Sequence, residues 1–243
     1  MGQHMQGTDK RNPRKLGQWV GWSMLATLVI GFASAILISQ GIDINLTADV
    51  QATAHNMLDA ELRLRAKAYI AALTFALDGL VSIGLFLLLR KSGELLAGWS
   101  LLISISAAIL LLLGAMFAMN AAEFASDPAY RTITGESQRL MLAGVQATSH
   151  YTSFHLGLVL SSFAMAGFFF LFLRSALIPA IIAGWGLFAS LFVGTTIVAR
   201  DFIPVLGHET VTTAFMISNL VAIASTGLYL SIRGVRTGPD QAR

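Results

Sequence analysis

Six long apolar segments constrain this chain more than any other feature of its sequence. They cover residues 16–40, 68–89, 95–119, 146–173, 177–199 and 211–232. Each is long enough to cross a hydrocarbon core about 30 Å thick, which takes about 20 helical residues. A segment in lipid must satisfy its own backbone hydrogen bonds, and a β-barrel would show short alternating segments instead. The sequence therefore predicts an all-α integral membrane bundle of six transmembrane helices.

The composition supports a lipid environment. Only 12% of the 243 residues are charged and 55% are hydrophobic, whereas soluble domains carry about 25% charged residues. Cysteine is absent, which excludes disulfides, thiolate metal sites and cysteine nucleophiles. The net charge of +3 would suit binding to nucleic acid in a soluble protein. Here the basic residues cluster at helix ends, so we predict no nucleic-acid partner.

The distribution of basic residues predicts the orientation. With the N-terminus inside, the inner segments hold ten Lys and Arg residues and the longer outer loops hold six. The positive-inside rule then favours cytoplasmic N- and C-termini. We expect a basic cytoplasmic tail over residues 1–15, a transmembrane domain over 16–235 and a second cytoplasmic tail over 236–243.

The loops differ in length on the two sides. The predicted inner connections, 90–94 and 174–176, are short, so helices 2 and 3, and helices 4 and 5, should form antiparallel hairpins. The first outer loop, 41–67, contains a predicted amphipathic helix over 52–65. Residues 138–173 contain no proline and would reach about 54 Å as one helix. Helix 4 should therefore project beyond the membrane.

Asp78 is the first candidate for a functional residue. It lies eleven residues into the second apolar segment, near mid-membrane, where a charged aspartate costs roughly 2.5–3.5 kcal/mol. It could serve a proton or ligand site, or it could be a hydrogen-bonded group that holds helices together. The sequence leaves both interpretations open.

A polar run, 146–155, enters the fourth apolar segment. Gln146, His150 and Ser153 fall on one helical face, and Gln146 is a candidate ligand-binding residue. His150 and His155 are catalytic candidates. Because they are five residues apart, about 140° separates them on a regular helix. They are therefore weak metal candidates, and we predict no metal, although haem or metal ligation with help from other histidines stays open.

Asn219 in helix 6 is a second candidate ligand-binding residue. Its depth is comparable with that of Asp78 and His155, so these three could share a polar pocket between helices 2, 4 and 6. Interhelical hydrogen bonding would produce the same pattern.

Two stretches resemble a known family. Residues 150–159 read HYTSFHLGLV and residues 173–179 read LRSALIP. Together with the Asp78-bearing helix that follows the 52–65 segment, they resemble the bacterial membrane family known as domain of unknown function 4386, over about residues 16–235. His155 stands where that family tends to have an aspartate, Ala164 where a second histidine is frequent, and Ala180 where a basic residue follows the loop proline. The resemblance implies six helices and a bacterial inner membrane, but no reaction.

Three functions are compatible with these sequence features. The favoured one is binding of a lipid, cofactor or partner subunit through the outer half, without catalysis and with no cofactor identified. The second is a proton-coupled transporter of a small molecule that uses Asp78. The third is an intramembrane enzyme that uses Asp78 with His150 or His155. The bilayer is the expected partner, and a protein subunit or a homodimer is a further possibility.

Overall fold

A computed structural model describes residues 12–44 and 49–236 of the chain. Six of its helices are long and apolar enough to cross a membrane, so the chain is a multi-pass membrane protein and the prediction of six spans is confirmed. Most of the two predicted tails, 1–15 and 236–243, lies outside the described residues. The helices are α1 (Pro13–Leu37), α2 (Val50–Leu58), α3 (Glu61–Leu89), α4 (Glu94–Ser126), α5 (Pro128–Ile133), α6 (Glu136–Ser175), α7 (Ala180–Arg200) and α8 (Glu209–Arg233).

The six long helices form a ring in chain order. Each of α1, α3, α4, α6, α7 and α8 packs on the next, and α8 closes the ring against α1. The predicted α3–α4 and α6–α7 hairpins are confirmed. One end of the ring carries the start of α1 and the end of α8, and we call it the termini end. The short α2 packs on α6 and α4 at the opposite end, which we call the cap end.

The predicted outer helix 52–65 is divided in the structure. The helix α2 ends at Leu58, and α3 begins at Glu61 and continues into the membrane-spanning segment. Ala60 breaks the helix with φ −117° and ψ 33°, and both Ala60 and Met57 are buried. The chain therefore turns between two packed helices, and the second half of the predicted segment belongs to α3.

The helix α6 is longer than predicted. It runs over 40 residues, or about 60 Å, and begins two residues before 138. The side chain of Gln138 accepts a hydrogen bond from the backbone N–H of Gly135 at 3.0 Å. This bond satisfies one of the free donors at the helix start. The predicted continuous helix over 138–173 is therefore confirmed, and the projection of α6 beyond the membrane stays a prediction.

Glycines bring α1 and α8 into close contact near the termini end. A Cβ on Gly21 would lie 2.3 Å from the backbone nitrogen of Ser231 and 2.7 Å from the carbonyl oxygen of Gly227. A Cβ on Gly17 would lie 3.0 Å from the nitrogen of Val235. The small-residue pair Gly17 and Gly21 of α1 therefore packs against the pair Gly227 and Ser231 of α8 within one chain, as close helix approach requires.

Two clusters of buried side chains lie at different depths in the ring. The termini-end core contains three fully buried phenylalanines of α6 and aliphatic residues of the neighbouring helices. The cap-end core combines three alanines of α4 with residues from the loop after α1, from α2, from the turn before α3, from α3 and from α6. The termini-end core includes Val20, Met24, Val81, Leu85, Leu89, Phe168, Phe169, Phe172 and Leu230, and the cap-end core includes Ile42, Met57, Ala60, Leu64, Ala118, Ala121, Ala122 and Ala147.

Candidate functional site

A central cavity of about 470 Å³ lies inside the ring. Its wall is built from α1, α3, α4, α6 and α8, and most of the lining side chains are apolar. Met24 and Val81 belong both to this wall and to the termini-end core, so that core forms the cavity floor. The volume falls within the range of about 300–1,000 Å³ typical of small-molecule sites.

Asp78 faces this cavity from α3. It lies eleven residues before Leu89 and seventeen after Glu61, which places it about 16 Å from one end of the helix and about 26 Å from the other. The hydroxyl of Thr27 on α1 lies beside its carboxyl group. Among the described residues, Asp78 is the only ionisable side chain that lines the cavity.

Several neutral polar groups join Asp78 on the wall. The hydroxyls of Ser82 on α3 and Ser104 on α4 are hydrogen-bonded at 2.7 Å, and both residues line the cavity together with Ser161 on α6 and Asn219 on α8. The structure thus brings Asp78 and Asn219 to one cavity. The fourth predicted span contributes Ser161 to it. His155, which the depth comparison predicts for the same pocket, lies elsewhere.

His155 belongs to a separate cluster with Tyr151 and Arg200. The Arg200 Nη2 atom lies 3.3 Å from the Tyr151 hydroxyl and 3.3 Å from His155 Nδ1. The rings of Tyr151 and His155 are 4.5 Å apart between centroids. This cluster ties the cap-end half of α6 to the end of α7, and a histidine held beside a guanidinium is a poor ligand for a cation.

His150 lies in a third polar cluster nearer the cap end. The Lys67 ammonium and the Asp43 carboxylate form an ion pair at 2.8 Å, with side chains only 11% and 12% exposed. His150 Nδ1 lies 3.9 Å from the other Asp43 oxygen, which is beyond hydrogen-bond distance. The remaining candidate, Gln146, accepts a 3.5 Å contact from the side chain of Asn120 and is likewise placed toward the cap.

Asp43 and Lys67 are not among the candidates predicted from the sequence. Twenty-four residues separate them, so no periodic pattern joins them. A lone lysine at the edge of an apolar segment ordinarily indicates a membrane boundary. The sequence offered one indication, which was Lys67 itself. A lysine directly before the span 68–89 must place its ammonium either in solvent or beside a carboxylate of the preceding loop.

The candidate metal ligands are dispersed. Within residues 12–44 and 49–236, no three histidine, aspartate or glutamate side chains are grouped so that they could hold a metal ion. His150 lies beside Asp43 and His155 lies beside Arg200. Because residues five apart point in directions about 140° apart on a regular helix, the two histidines contact different partners.

Comparison with known proteins gives one match. The family model described as Domain of unknown function (DUF4386) matches residues 19–234. No curated protein and no solved structure matches the chain.

Proposed function

This chain belongs to the DUF4386 family, whose description states no activity, and from its geometry we propose that it binds a small, mainly apolar molecule in the central cavity. We place it in the bacterial inner membrane with both termini in the cytoplasm. The charge distribution supports that orientation, since ten of its sixteen basic residues lie on the segments assigned to the inside. The proposed role is binding, without chemical conversion of the ligand.

The observation that carries this proposal is the composition of the cavity wall. In the described part of the chain, the wall of this apolar space of about 470 Å³ carries a single carboxyl group, Asp78, and neutral polar groups that include Thr27, Ser104 and Asn219. Binding sites for small molecules combine a mostly apolar wall with a few polar groups that orient the ligand. An intramembrane acid that faces a cavity is a functional candidate, because its insertion cost must be offset by a benefit.

The two alternative functions receive less support. A transporter must open its site to both sides of the membrane, and the termini-end core below the cavity contains Phe168, Phe169 and Phe172, which are at most 1% exposed. An acid–base enzyme generally positions a second proton-transferring group beside the first. On the described wall, the neighbours of Asp78 are hydroxyl, amide and apolar side chains.

A direct test is to look for a bound molecule in the purified protein. The full chain would be purified from membranes in mild detergent, and its bound molecules measured by native mass spectrometry and by organic extraction. Asp78→Asn removes the carboxyl group but keeps the shape of the side chain. Asp59→Asn is the matched control, because Asp59 is an exposed carboxyl at the end of α2.

The wild type and D59N should carry a co-purifying small molecule in stoichiometric amount. D78N should hold it about tenfold less strongly or worse, as expected for loss of a hydrogen bond to the carboxyl group. Equal occupancy in D78N and D59N would overturn the assignment of Asp78. An empty wild-type protein, with no mass above that of the chain, would overturn the binding proposal itself. A Soret band in the same sample would identify the bound molecule as haem and would also overturn it.

A further inference from the structure

The helices α1 and α8 pack closely at the termini end of the cavity and leave its wall open toward the cap end. Near the termini end they touch through Gly21, whose added Cβ would collide with α8. About 15 Å further along α1, a Cβ on Gly31 would meet no atom within 4 Å. Phe32 and Met216 line the cavity from α1 and α8, yet they are 49% and 59% exposed. The cavity wall therefore opens sideways between the cap-end halves of these helices.

Packed layers lie between the cavity and water at both ends of the ring. The termini-end core forms the floor, and its phenylalanines are fully buried. Toward the cap end, the cap-end core packs α3, α4 and α6 against α2 and the loop after α1. The loop after α1 is fastened there by Arg63, which donates to the carbonyl oxygens of Ile38 and Gln40, and by the ion pair of Lys67 with Asp43. The side of the ring is thus the open route, and at that depth it faces the apolar part of a bilayer.

The depth of the polar groups limits the chemistry of the ligand. Asp78 lies about 16 Å from the nearer end of α3, roughly the middle of a hydrocarbon core about 30 Å thick. A phosphate-bearing headgroup would have to leave the membrane surface to reach it, and such desolvation is costly. A neutral hydroxyl can reach that depth at a lower cost. It can donate a hydrogen bond to the Asp78 carboxyl and accept one from the amide of Asn219.

We propose that the cavity takes a bilayer-dissolved lipid with a single hydroxyl group, such as a fatty or isoprenoid alcohol, which enters sideways between the cap-end halves of α1 and α8. This inference rests on the proposed function and adds the ligand class and the route. The hydroxyl lies at the floor beside Asp78. The apolar body extends toward the cap, along the wall formed by Phe32, Phe154 and Met216.

Two matched photoreactive probes test the ligand class. The full chain would be reconstituted in vesicles that contain either a diazirine-bearing fatty alcohol or a phosphatidylcholine with the same diazirine-bearing chain. After irradiation, labelled peptides would be mapped by mass spectrometry. We expect the alcohol to label the cavity wall around Ser104 and Asn219, and the phosphatidylcholine to label only the outward-facing surfaces, such as Phe188 on α7.

Two matched variants test the route. Gly31→Phe places a ring in the open gap, and Gly184→Phe places one in equally open space on α7, which does not line the cavity. Cavity labelling by the alcohol should fall to background in G31F and be unchanged in G184F, while labelling of the outer surface stays the same in both. Unchanged far-UV circular dichroism and unchanged outer labelling would show that G31F is folded.

The other outcomes separate the two proposals. Equal cavity labelling in G31F and wild type would overturn the sideways route. Cavity labelling by phosphatidylcholine as strong as that by the alcohol would overturn the ligand class. If neither probe labels the cavity while purified wild type still carries a molecule that D78N lacks, the ligand class is wrong and the binding function stands. If that molecule is missing as well, both proposals fail.

Discussion

Replacing Gly21 with alanine should weaken the packing of α1 against α8, and the structure sets the scale of the effect. The added methyl group would lie 2.3 Å from a backbone nitrogen of α8, where ordinary contact begins at 3.4 Å. Because the colliding atoms are backbone, no side-chain rotation relieves them, and the helices must separate by about 1 Å. A radial gap of 0.5–1 Å loses roughly a quarter to a half of the dispersion attraction between facing atoms.

The expected free-energy change combines two terms of opposite sign. Overpacking a well-packed site costs about 1–3 kcal/mol, and the backbone collision places Gly21→Ala in the upper half of that range. The exchange of glycine for alanine in a helix contributes up to about 1 kcal/mol of stability. We therefore expect a net loss of about 1–2 kcal/mol, which is a factor of roughly 5–30 in the folded-to-unfolded ratio.

Gly31→Ala is the control for this change, in the same helix. Its added methyl group meets nothing within 4 Å, so only the favourable helix term, up to about 1 kcal/mol, applies. Both variants would be unfolded by titration of SDS into mild detergent, with circular dichroism and tryptophan fluorescence as readouts. If G21A proves as stable as G31A, the close α1–α8 crossing is wrong. If G21A instead dissociates a dimer on size-exclusion chromatography without loss of stability, the glycines form a dimer face.

Three further changes test the polar contacts. Lys67→Met should destabilise the protein by about 3 kcal/mol or more in the same SDS titration, because it removes the cation paired with Asp43, whose side chain is only 12% exposed. The double change with Asp43→Asn should recover part of that loss, and full additivity of the two changes would contradict the pairing. Arg63→Lys should cost about 1–2 kcal/mol, since a lysine cannot make the forked contact to the Ile38 carbonyl together with the bond to the Gln40 carbonyl just after α1. A Lys variant as stable as wild type would show that the fork is dispensable. Ser104→Ala should cost about 0.5–1 kcal/mol, because it removes the hydrogen bond between the Ser104 and Ser82 hydroxyls. The Ser82→Ala change and the double change should each cost the same amount, and a double change that costs the sum of the two would contradict the pair.

The apolar segments of the sequence determined the helices of this protein. In lipid, a run of about 20 apolar residues has helix as its practical conformation, because each backbone N–H must find its partner within the segment. The number of spans, the α3–α4 and α6–α7 hairpins and the mid-membrane depth of Asp78 follow from segment length and loop length alone. The spacing of Gly17 and Gly21, and of Gly227 and Ser231, is typical of helices that approach closely, although it does not say which helices meet.

The grouping of side chains from different helices was decided by the tertiary structure. A sequence places Asp78 and Asn219 at similar depths, but the rotation of each helix about its axis determines whether they face one cavity, lipid or a third helix. The same rotation sends His150 toward Asp43 and His155 toward Arg200. A Cβ on Gly21 would collide with α8, whereas one on Gly31 would meet no atom within 4 Å. The separation between two helices is set by their packing partners, which one chain segment does not contain.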